Sequence, residues 1–358
     1  DSKKMVTVGI AQLVEHGALD AANKGFVAGM ASKGFKENEN VKYDRQNAQA
    51  DQSNLQNIAQ RFVSNKVDLI CAIATPAAQT MANATKDIPI VATAVTDYEA
   101  AKLVASNSEP KGNVTGTSDM NPIKEQLELL LKLVPGAKTI GTIYCSSEVN
   151  SQLQAELLKK YAAEKGVQVE EATVSNVNDI QQAAQSLVGK VDAVYVPTDN
   201  VLASAMPTLA QVTEPAKLAV VCGEGGMVMA GGVATLAIDY YQLGEQTGEM
   251  AGDILSGKTK PQTMPIQLQK SFKVIINKEN AEKWIDFMCR PDIAKKNFEY
   301  ITYATPNKGA YELLDDELKN NKALFPDISA LENCEIIQYP GDEADALYNE
   351  MWKEIKSE

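Results

Sequence analysis

The chain has 358 residues, enough for two or three compact units, which excludes a single small domain. Its composition, 44% hydrophobic and 23% charged, is typical of a soluble globular protein, and no apolar run reaches the roughly 18 residues of a membrane helix. With 34 basic and 47 acidic residues the net charge is −13, which argues against nucleic acid as a partner.

The first part of the chain alternates short β-branched runs with amphipathic helical windows. This alternation predicts a parallel sheet with crossover helices. A short helix is expected to open at Thr75 and Pro76, because proline suits the first helical turn. The strands are expected at residues 5–12, 41–45, 68–73, 88–93 and 114–118.

The same pattern restarts after Asn121 and Pro122, which predicts a second Rossmann-like lobe. A helix is expected to begin near Asp239 and to end at Gly257, and residues 264–276 suggest one final returning strand. The other strands of this lobe are expected at residues 138–144, 167–174, 193–196, 219–222 and 233–238.

Beyond Asn277 the strand signal disappears and the sequence predicts a helical tail. Two short helices are expected on either side of Arg290 and Pro291, followed by a last amphipathic helix over residues 344–355. The apolar face of that last helix is expected to pack on a lobe or on a partner, because its exposure would favour aggregation.

The five cysteines are too few and too scattered for a disulfide framework, and no Cys-x-x-Cys spacing suggests zinc. We therefore expect buried thiols, no metal and no cofactor, although Cys289 and Cys334 could pair. The sequence begins at Asp1 without initiator methionine or signal peptide, as expected for a mature or trimmed chain, which permits export without indicating it.

Several blocks in chain order resemble the binding proteins of ABC-type tryptophan/tyrosine importers. The resemblance covers about residues 5–278. The blocks are VGIAQ at residues 8–12, IATPAAQ at 73–79, VTGTSD at 114–119, YCSSEVN at 144–150, VPTDN at 196–200 and IDYYQLG at 238–244.

This resemblance implies an α/β periplasmic-binding-protein fold, with two Rossmann-like lobes joined by three hinge crossings and followed by an appended helical segment. Crossings are expected near residues 116–119, Ile238 and Met264. Lobe one is then residues 1–117 and 239–263, lobe two is residues 118–238 and 264–278, and the tail is residues 279–358.

The tail resembles the C-terminal helical part of spermidine/putrescine-binding proteins, through residues 284–294, 304–307 and 324–327. Tyr303 and Gln338 match positions that contact the polyamine in that family. The remaining parts of a polyamine site have no counterpart in residues 1–278. The tail is thus expected to be a helical cap, added by natural fusion or by design.

In open parallel α/β sheets, ligands bind at the carboxyl ends of the strands, where loops lead into helix N-termini. The candidate binding residues therefore follow the predicted strands. They are Glu15, His16, Thr75, Pro76, Thr96, Asp97, Ser146, Ser147, Asn150, Asp199, Asn200, Glu224 and Asp239.

An amino-acid ligand needs N–H and hydroxyl donors for its carboxylate and carboxylate acceptors for its ammonium group. We expect Thr75 and the backbone of residues 74–77 to bind the carboxylate, with help from Ser146 and Ser147 on closure. Asp199 or Glu224 is expected to bind the ammonium group.

Structural roles are the alternatives for several of these residues. Thr75 could instead cap the helix that starts at Pro76, and Asp239 could cap a helix at a hinge. Asp119 and Asn121 are interpreted as hinge or cap residues. His16, the only histidine, could be a solvated side chain or could contact the ligand.

The resemblance implies an extracytoplasmic solute-binding protein that closes on an aromatic amino acid and docks on a membrane permease. It is expected to be a monomer, attached to the membrane only through a possible trimmed lipid anchor. Another hydrophobic amino acid, or a polyamine through the tail, is the alternative ligand. Two other classes of protein fit the sequence poorly. An enzyme on this fold would need a Gly-x-Ser-x-Gly elbow or a metal cluster, which the sequence lacks, and a transcriptional sensor would need a DNA-binding segment ahead of Met5.

Overall fold

The computed structural model describes residues 5–269, 271–279, 289–301, 308–322 and 324–325. The chain divides into two compact units, residues 1–281 and 282–358. The first unit contains two sheets of six strands each, both flanked by helices. The predicted α/β architecture with two Rossmann-like lobes is confirmed.

The first sheet has the strand order β11-β5-β4-β3-β1-β2 and is parallel throughout. Its central strands β3 and β4 are buried along their whole length, as expected for a sheet covered by helices on both faces. The elements are β1 (Val6–Gln12), α1 (Gly17–Ser32), β2 (Val41–Asn47), α2 (Gln52–Ser64), β3 (Leu69–Ile73), α3 (Thr75–Ala84), β4 (Ile90–Val95), β5 (Val114–Ser118) and β11 (Gln267–Leu268).

The second sheet has the order β12-β10-β9-β8-β6-β7, and only its edge strand β12 runs antiparallel to its neighbour. Separate apolar clusters cover its two faces. The elements are α4 (Ile123–Leu133), β6 (Thr139–Cys145), α5 (Val149–Glu164), β7 (Gln168–Val174), α6 (Ile180–Leu187), β8 (Ala193–Val196), α7 (Asn200–Ser204), α8 (Met206–Thr213), β9 (Ala219–Cys222), α9 (Gly225–Met229), β10 (Ala234–Ala237) and β12 (Lys273–Ile276).

The last strand predicted from the sequence, residues 264–276, is wrong as a single element. It is divided into β11, which pairs with β5 in the first sheet, and β12, which pairs with β10 in the second. Met264 and Ile266 lie in the core of the first lobe, so the predicted lobe boundary at residue 264 is also wrong. The pattern of β-forming residues does not encode which sheet a strand joins, and the third crossing falls between the two short strands.

The three segments that connect the lobes contact one another. The side-chain oxygen of Asn121 in the first crossing accepts a hydrogen bond from Ile238 N in the second, at 3.2 Å. Asp239 N donates to the side chain of Gln269 in the third crossing at 3.2 Å, and Gln269 Nε2 donates back to Asp239 O at 2.8 Å. The crossings thus form one bonded strip between the lobes, next to the strand ends.

Helix α10 (Tyr240–Leu255) follows the second crossing and packs along α1 in the first lobe. Gly25 and Gly29 of α1 face Gly244 and Gly248 of α10, and a Cβ at any of the four would overlap a backbone carbonyl oxygen of the opposite helix. The two helix backbones are therefore in direct contact. This contact sets the distance between the N-termini of the two helices, where His16 and Tyr240 lie.

The second unit contains three short described helices, α11 (Pro291–Ile301), α12 (Lys308–Glu312) and α13 (Asp316–Lys319). Phe325 contacts two aromatic rings of this unit, with centroid distances of 5.9 Å to Phe298 and 4.9 Å to Tyr311. The described part of the tail is helical, as predicted. Some predictions for the tail fall outside the described residues: the first helix around Trp284, the last helix over residues 344–355, Tyr303 and Gln338. The Cys289–Cys334 pairing depends on Cys334, which lies outside them as well.

None of the helices in the described ranges is both long enough and apolar enough to cross a lipid bilayer. Cys71, Cys145 and Cys222 are buried thiols within the first unit. Across the residues covered by the structure, histidine, cysteine and carboxylate side chains form no group of three that could hold a metal ion.

Candidate functional site

A narrow cavity of about 20 Å³ lies between the two lobes, at the carboxyl ends of their strands. Both lobes and the crossings contribute to its wall. The candidate residues that line it are His16, Thr96, Asn150, Asp199, Asn200 and Glu224. The lining residues that the sequence analysis did not select are Ala18, Leu19, Ala94, Asp119, Thr198, Ala203, Met227 and Tyr240.

Four polar atoms of this wall are buried and have no hydrogen-bond partner among the described residues. They are His16 Nδ1, Asp119 Oδ1, Asn150 Oδ1 and Thr198 Oγ1. Buried polar groups in folded proteins are nearly always paired, so a cluster of orphaned atoms on one cavity indicates a binding site for a polar ligand.

Asp119 is the acidic residue of the cavity that has an oxygen to spare. It follows β5 directly, and its Oδ2 accepts a hydrogen bond from the Tyr240 hydroxyl at 2.8 Å. Burial raises the pKa of Asp119, against the opposing effect of the Tyr240 and Thr96 hydroxyls. Sequence reasoning interpreted Asp119 as a hinge or cap residue, yet its position after a strand is the same signal that selected the other candidates.

Asp199 and Glu224, the predicted partners of an ammonium group, both cap short helices. Asp199 accepts from Leu202 N at 2.8 Å and from Cys145 N at 2.6 Å, while Glu224 accepts from Met227 N at 2.7 Å and from Gly226 N. Each carboxylate oxygen of the two residues is thus already bonded to the backbone. Both residues line the cavity, but neither has a carboxylate oxygen without a partner, as Asp119 does.

Glu148, which the sequence analysis did not select, lies behind the cavity wall and is almost fully buried. Its oxygens accept from Asn200 Nδ2 at 2.6 Å, from Asn150 Nδ2 at 3.0 Å, and from the backbone N–H groups of Asn200 and Val201. Burial, reinforced by the nearby charge of Asp199, raises the pKa of Glu148.

His16 joins the two lobes through this network. Its Nε2 lies 3.1 Å from Asn200 Oδ1, and the amide nitrogen of that asparagine is bound by Glu148. A second contact between the lobes runs from Gln154 Nε2 to Thr96 Oγ1 at 3.4 Å. Burial lowers the pKa of His16, so the imidazole is neutral at neutral pH.

Thr75 is not the helix cap that the sequence allowed. The N-cap of α3 is Ala74, in a left-handed conformation with φ of 87°, and the buried Thr75 Oγ1 has no partner in the described part of the chain. Asp239 does cap α10, by accepting from Tyr241 N at 3.0 Å and from Gln242 N at 3.2 Å. Neither Thr75 nor Asp239 lines the cavity, and the same holds for Pro76.

Four other candidates lie away from the cavity. Glu15, Ser146 and Ser147 are exposed. The hydroxyl of Ser146 donates to Val174 O at 3.3 Å, and the side chain of Asp97 accepts from Ala100 N at 2.8 Å, which closes a local turn. These residues were selected only by their position after a strand. That position does not distinguish a side chain that faces the cleft from one that folds back on its own loop.

The stability of the ligand-free protein should decrease as the pH rises from about 4.5 to about 7, because burial raises the pKa of Glu224 to about 7. A carboxyl group with a raised folded-state pKa favours the folded state below its unfolded pKa and loses that contribution as the pH rises through the folded value. In wild type this lowers the free energy of unfolding by roughly 2–3 kcal/mol over this range, and Glu224→Gln should not show that loss.

Thermal unfolding of wild type and Glu224→Gln between pH 4.5 and 8 measures this difference. His16, whose lowered pKa acts in the opposite direction below pH 6.5, is present in both proteins and cancels. Parallel stability profiles for the two proteins would contradict the expectation.

Two sheet-cored lobes closed over an internal polar cavity define a ligand-capture protein. The chain belongs to the family of ABC transporter substrate-binding proteins, which matches residues 7–300. It is 46% identical over 301 residues to a tyrosine-binding protein of Clostridioides difficile, with 84% of this chain and 86% of that protein covered.

Two solved structures are similar over 78% of this chain and 95% of their own. A domain from Streptococcus pneumoniae in complex with L-Trp is 40% identical with a TM-score of 0.76. A ligand-free, open substrate-binding protein from Clostridium difficile is 46% identical, but its TM-score is only 0.62. The lobes of this chain are therefore arranged more like those of the L-Trp complex, in agreement with the contacts between them.

A further similarity covers 81 residues, 23% of this chain. Over this length the chain is 43% identical to the spermidine/putrescine-binding periplasmic protein of Salmonella typhimurium, and the match covers 23% of that protein.

Proposed function

We propose that this protein is the extracytoplasmic receptor of an ABC importer and that it captures an aromatic amino acid between its lobes. The carrying observation is the orphaned carboxylate oxygen of Asp119 in a closed cavity between the lobes. Among the residues that the structure describes, no lysine or arginine lines this cavity. A buried acidic wall without a basic residue favours a cationic group, and the ammonium of an amino acid supplies one.

The ammonium group binds Asp119 in this proposal, and the ligand carboxylate binds at the N-terminus of α3. Thr75 begins that helix, its hydroxyl is buried and lacks a partner in the described residues, and Ala74 N bonds to Thr93 O of β4. The helix end thus lies next to β4, which supplies Ala94 to the cavity and leads directly into Thr96. Free backbone N–H groups at a helix N-terminus attract a carboxylate.

The ligand side chain contacts the apolar part of the wall. Leu19, Ala94, Met227 and the ring of Tyr240 line the cavity and offer surface suited to an aromatic ring. The names of the relatives, a tyrosine-binding protein and a complex with L-Trp, support this ligand class. Another hydrophobic amino acid would use the same ammonium and carboxylate contacts.

The lobes act as two bodies that rotate about the crossings. The first body comprises residues 5–118 with residues 240–268, and the second comprises residues 123–237 with 273–276. The closed form, a monomer, docks on the membrane permease. Ligand contacts from both bodies favour closure, because the open form makes only some of them.

The tail binds no ligand in this proposal. Its similarity to spermidine/putrescine-binding proteins covers only 23% of their length. The proposal also assigns no catalytic step, since the relatives in the comparison are binding proteins.

Calorimetry with the full chain should give one site for tryptophan or tyrosine, with an affinity of about micromolar or tighter. Phenylalanine, leucine, spermidine and putrescine serve as comparison ligands. Binding of the polyamines alone would overturn the amino-acid assignment and transfer the function to the tail. Binding of no tested amino acid would overturn it as well.

A further inference from the structure

The hydrogen bonds behind the cavity wall determine which atoms of two side chains face the ligand. The NH₂ groups of Asn150 and Asn200 both donate to Glu148, at 3.0 and 2.6 Å, and Asn150 Nδ2 also donates to the backbone oxygen of Thr198 at 2.9 Å. This leaves the side-chain carbonyl of Asn150 on the cavity, with no partner in the described part of the chain. Asn150 is only 5% exposed, so bulk water does not satisfy this oxygen.

The same carboxylate also sets the tautomer of His16. Because the NH₂ of Asn200 is bound to Glu148, its Oδ1 is the atom that lies 3.1 Å from His16 Nε2. An amide oxygen accepts, so Nε2 must carry the proton and Nδ1 must present a lone pair. Nδ1 is buried on the cavity and lacks a partner within the described residues.

These two atoms differ chemically from Asp119. Asp119 provides a carboxylate, which matches a charged ammonium group, whereas the imidazole nitrogen and the amide oxygen are neutral acceptors. Neutral acceptors match a neutral N–H or O–H donor without requiring a second positive charge. Within the proposed class of ligands, such a donor is the indole N–H of tryptophan or the phenol O–H of tyrosine.

We propose that Glu148 is a positioning residue that, through Asn200, turns the lone pair of His16 Nδ1 towards the cavity, and that this lone pair and Asn150 Oδ1 select a ligand whose side chain carries an N–H or O–H donor. The ligand selection rests on the proposed function, whereas the positioning of His16 does not. The fold of the wall thereby favours tryptophan and tyrosine over phenylalanine. A ligand without the donor leaves buried acceptors unpaired, which is the most effective way for a site to reject an analogue.

The first experiment uses the wild-type protein. Because His16 is the only histidine of the sequence, ¹⁵N NMR of histidine-labelled protein reports this ring alone. We expect the neutral tautomer with the proton on Nε2 in the ligand-free protein, and a shift of the Nδ1 signal when tryptophan binds. A proton on Nδ1 in the ligand-free protein would overturn the positioning role of Glu148, whatever the ligand is.

The second experiment measures selectivity by calorimetry, with benzothienylalanine, in which sulfur replaces the indole N–H, as the matched ligand for tryptophan. The wild type should bind this analogue about 10- to 100-fold more weakly than tryptophan, and phenylalanine more weakly than tyrosine by a similar factor. Equal affinities within each pair would overturn the selection and leave the amino-acid function intact. Failure of every amino acid to bind would overturn both.

Glu148→Gln completes the test, because a glutamine amide can donate and so permits Asn200 to turn over, whereas Asn150 Nδ2 keeps its bond to Thr198 O. The ratio of tryptophan to analogue affinity should fall towards one in this variant. Glu156→Gln, an exposed carboxylate on the same helix, should leave the ratio unchanged. An equal loss of affinity for both ligands in Glu148→Gln would indicate a merely structural role and overturn the proposal. If that variant does not fold, the two wild-type measurements still decide.

Discussion

Gly244→Ala should destabilise the protein by about 3–5 kcal/mol, although alanine in place of glycine normally stabilises the interior of a helix. The added methyl group would overlap the carbonyl oxygen of Ala22, and the carbon atoms of that residue's backbone are also within contact distance. A flexible side chain could move aside, but the backbone of α1 cannot do so without separating the two helices.

Gly112→Ala is the matched control, since no atom lies within 4 Å of the position that its Cβ would occupy. Urea unfolding followed by circular dichroism should give nearly unchanged stability for this variant and a large decrease for Gly244→Ala. Similar stabilities for the two variants would show that α1 and α10 are not in direct backbone contact. Weakened ligand binding should accompany the decrease, because the same contact positions His16 relative to Tyr240.

This helix contact also illustrates why part of the fold could not be predicted. Most strands and the two-lobed α/β class followed from local patterns, because β-branched runs and amphipathic windows each report on their own residues. The glycines of α1 and α10 lie about 220 positions apart in the chain, and no periodicity of one segment indicates the other. The third crossing was predicted too early, near Met264, for a similar reason, because the pairing of β11 with β5 depends on a distant strand.

The candidate site divides in the same way. Strand-end position found six residues of the cavity wall, since the topology of parallel sheets brings these ends together. It could not tell that the carboxylates of Asp199 and Glu224 are bonded to nearby backbone N–H groups while Asp119 keeps an oxygen free. It also missed Glu148, whose role comes from two asparagine side chains, one of them more than 50 positions away.

Asp119→Asn should lower the affinity for the amino-acid ligand by about 100- to 1000-fold, equivalent to about 3–4 kcal/mol. The variant loses the charge that attracts the ammonium group, and its amide must either present an NH₂ to a cation or give up the bond from the Tyr240 hydroxyl. Calorimetry with tryptophan or tyrosine measures the loss. Asp97→Asn is the control, because Asp97 lies outside the cavity and bonds to Ala100 N in its own loop.

Stability should change in the opposite direction in Asp119→Asn, which separates a lost contact from a damaged fold. Burial raises the pKa of Asp119 in the folded protein. The ionised group therefore opposes folding increasingly as the pH rises above the pKa that Asp119 has in the unfolded chain. The neutral amide removes this cost, and thermal unfolding of the ligand-free variant at pH 8 should occur at a higher temperature than in wild type. Reduced stability together with reduced affinity would assign Asp119 to the scaffold, and unchanged affinity would place the ammonium group elsewhere.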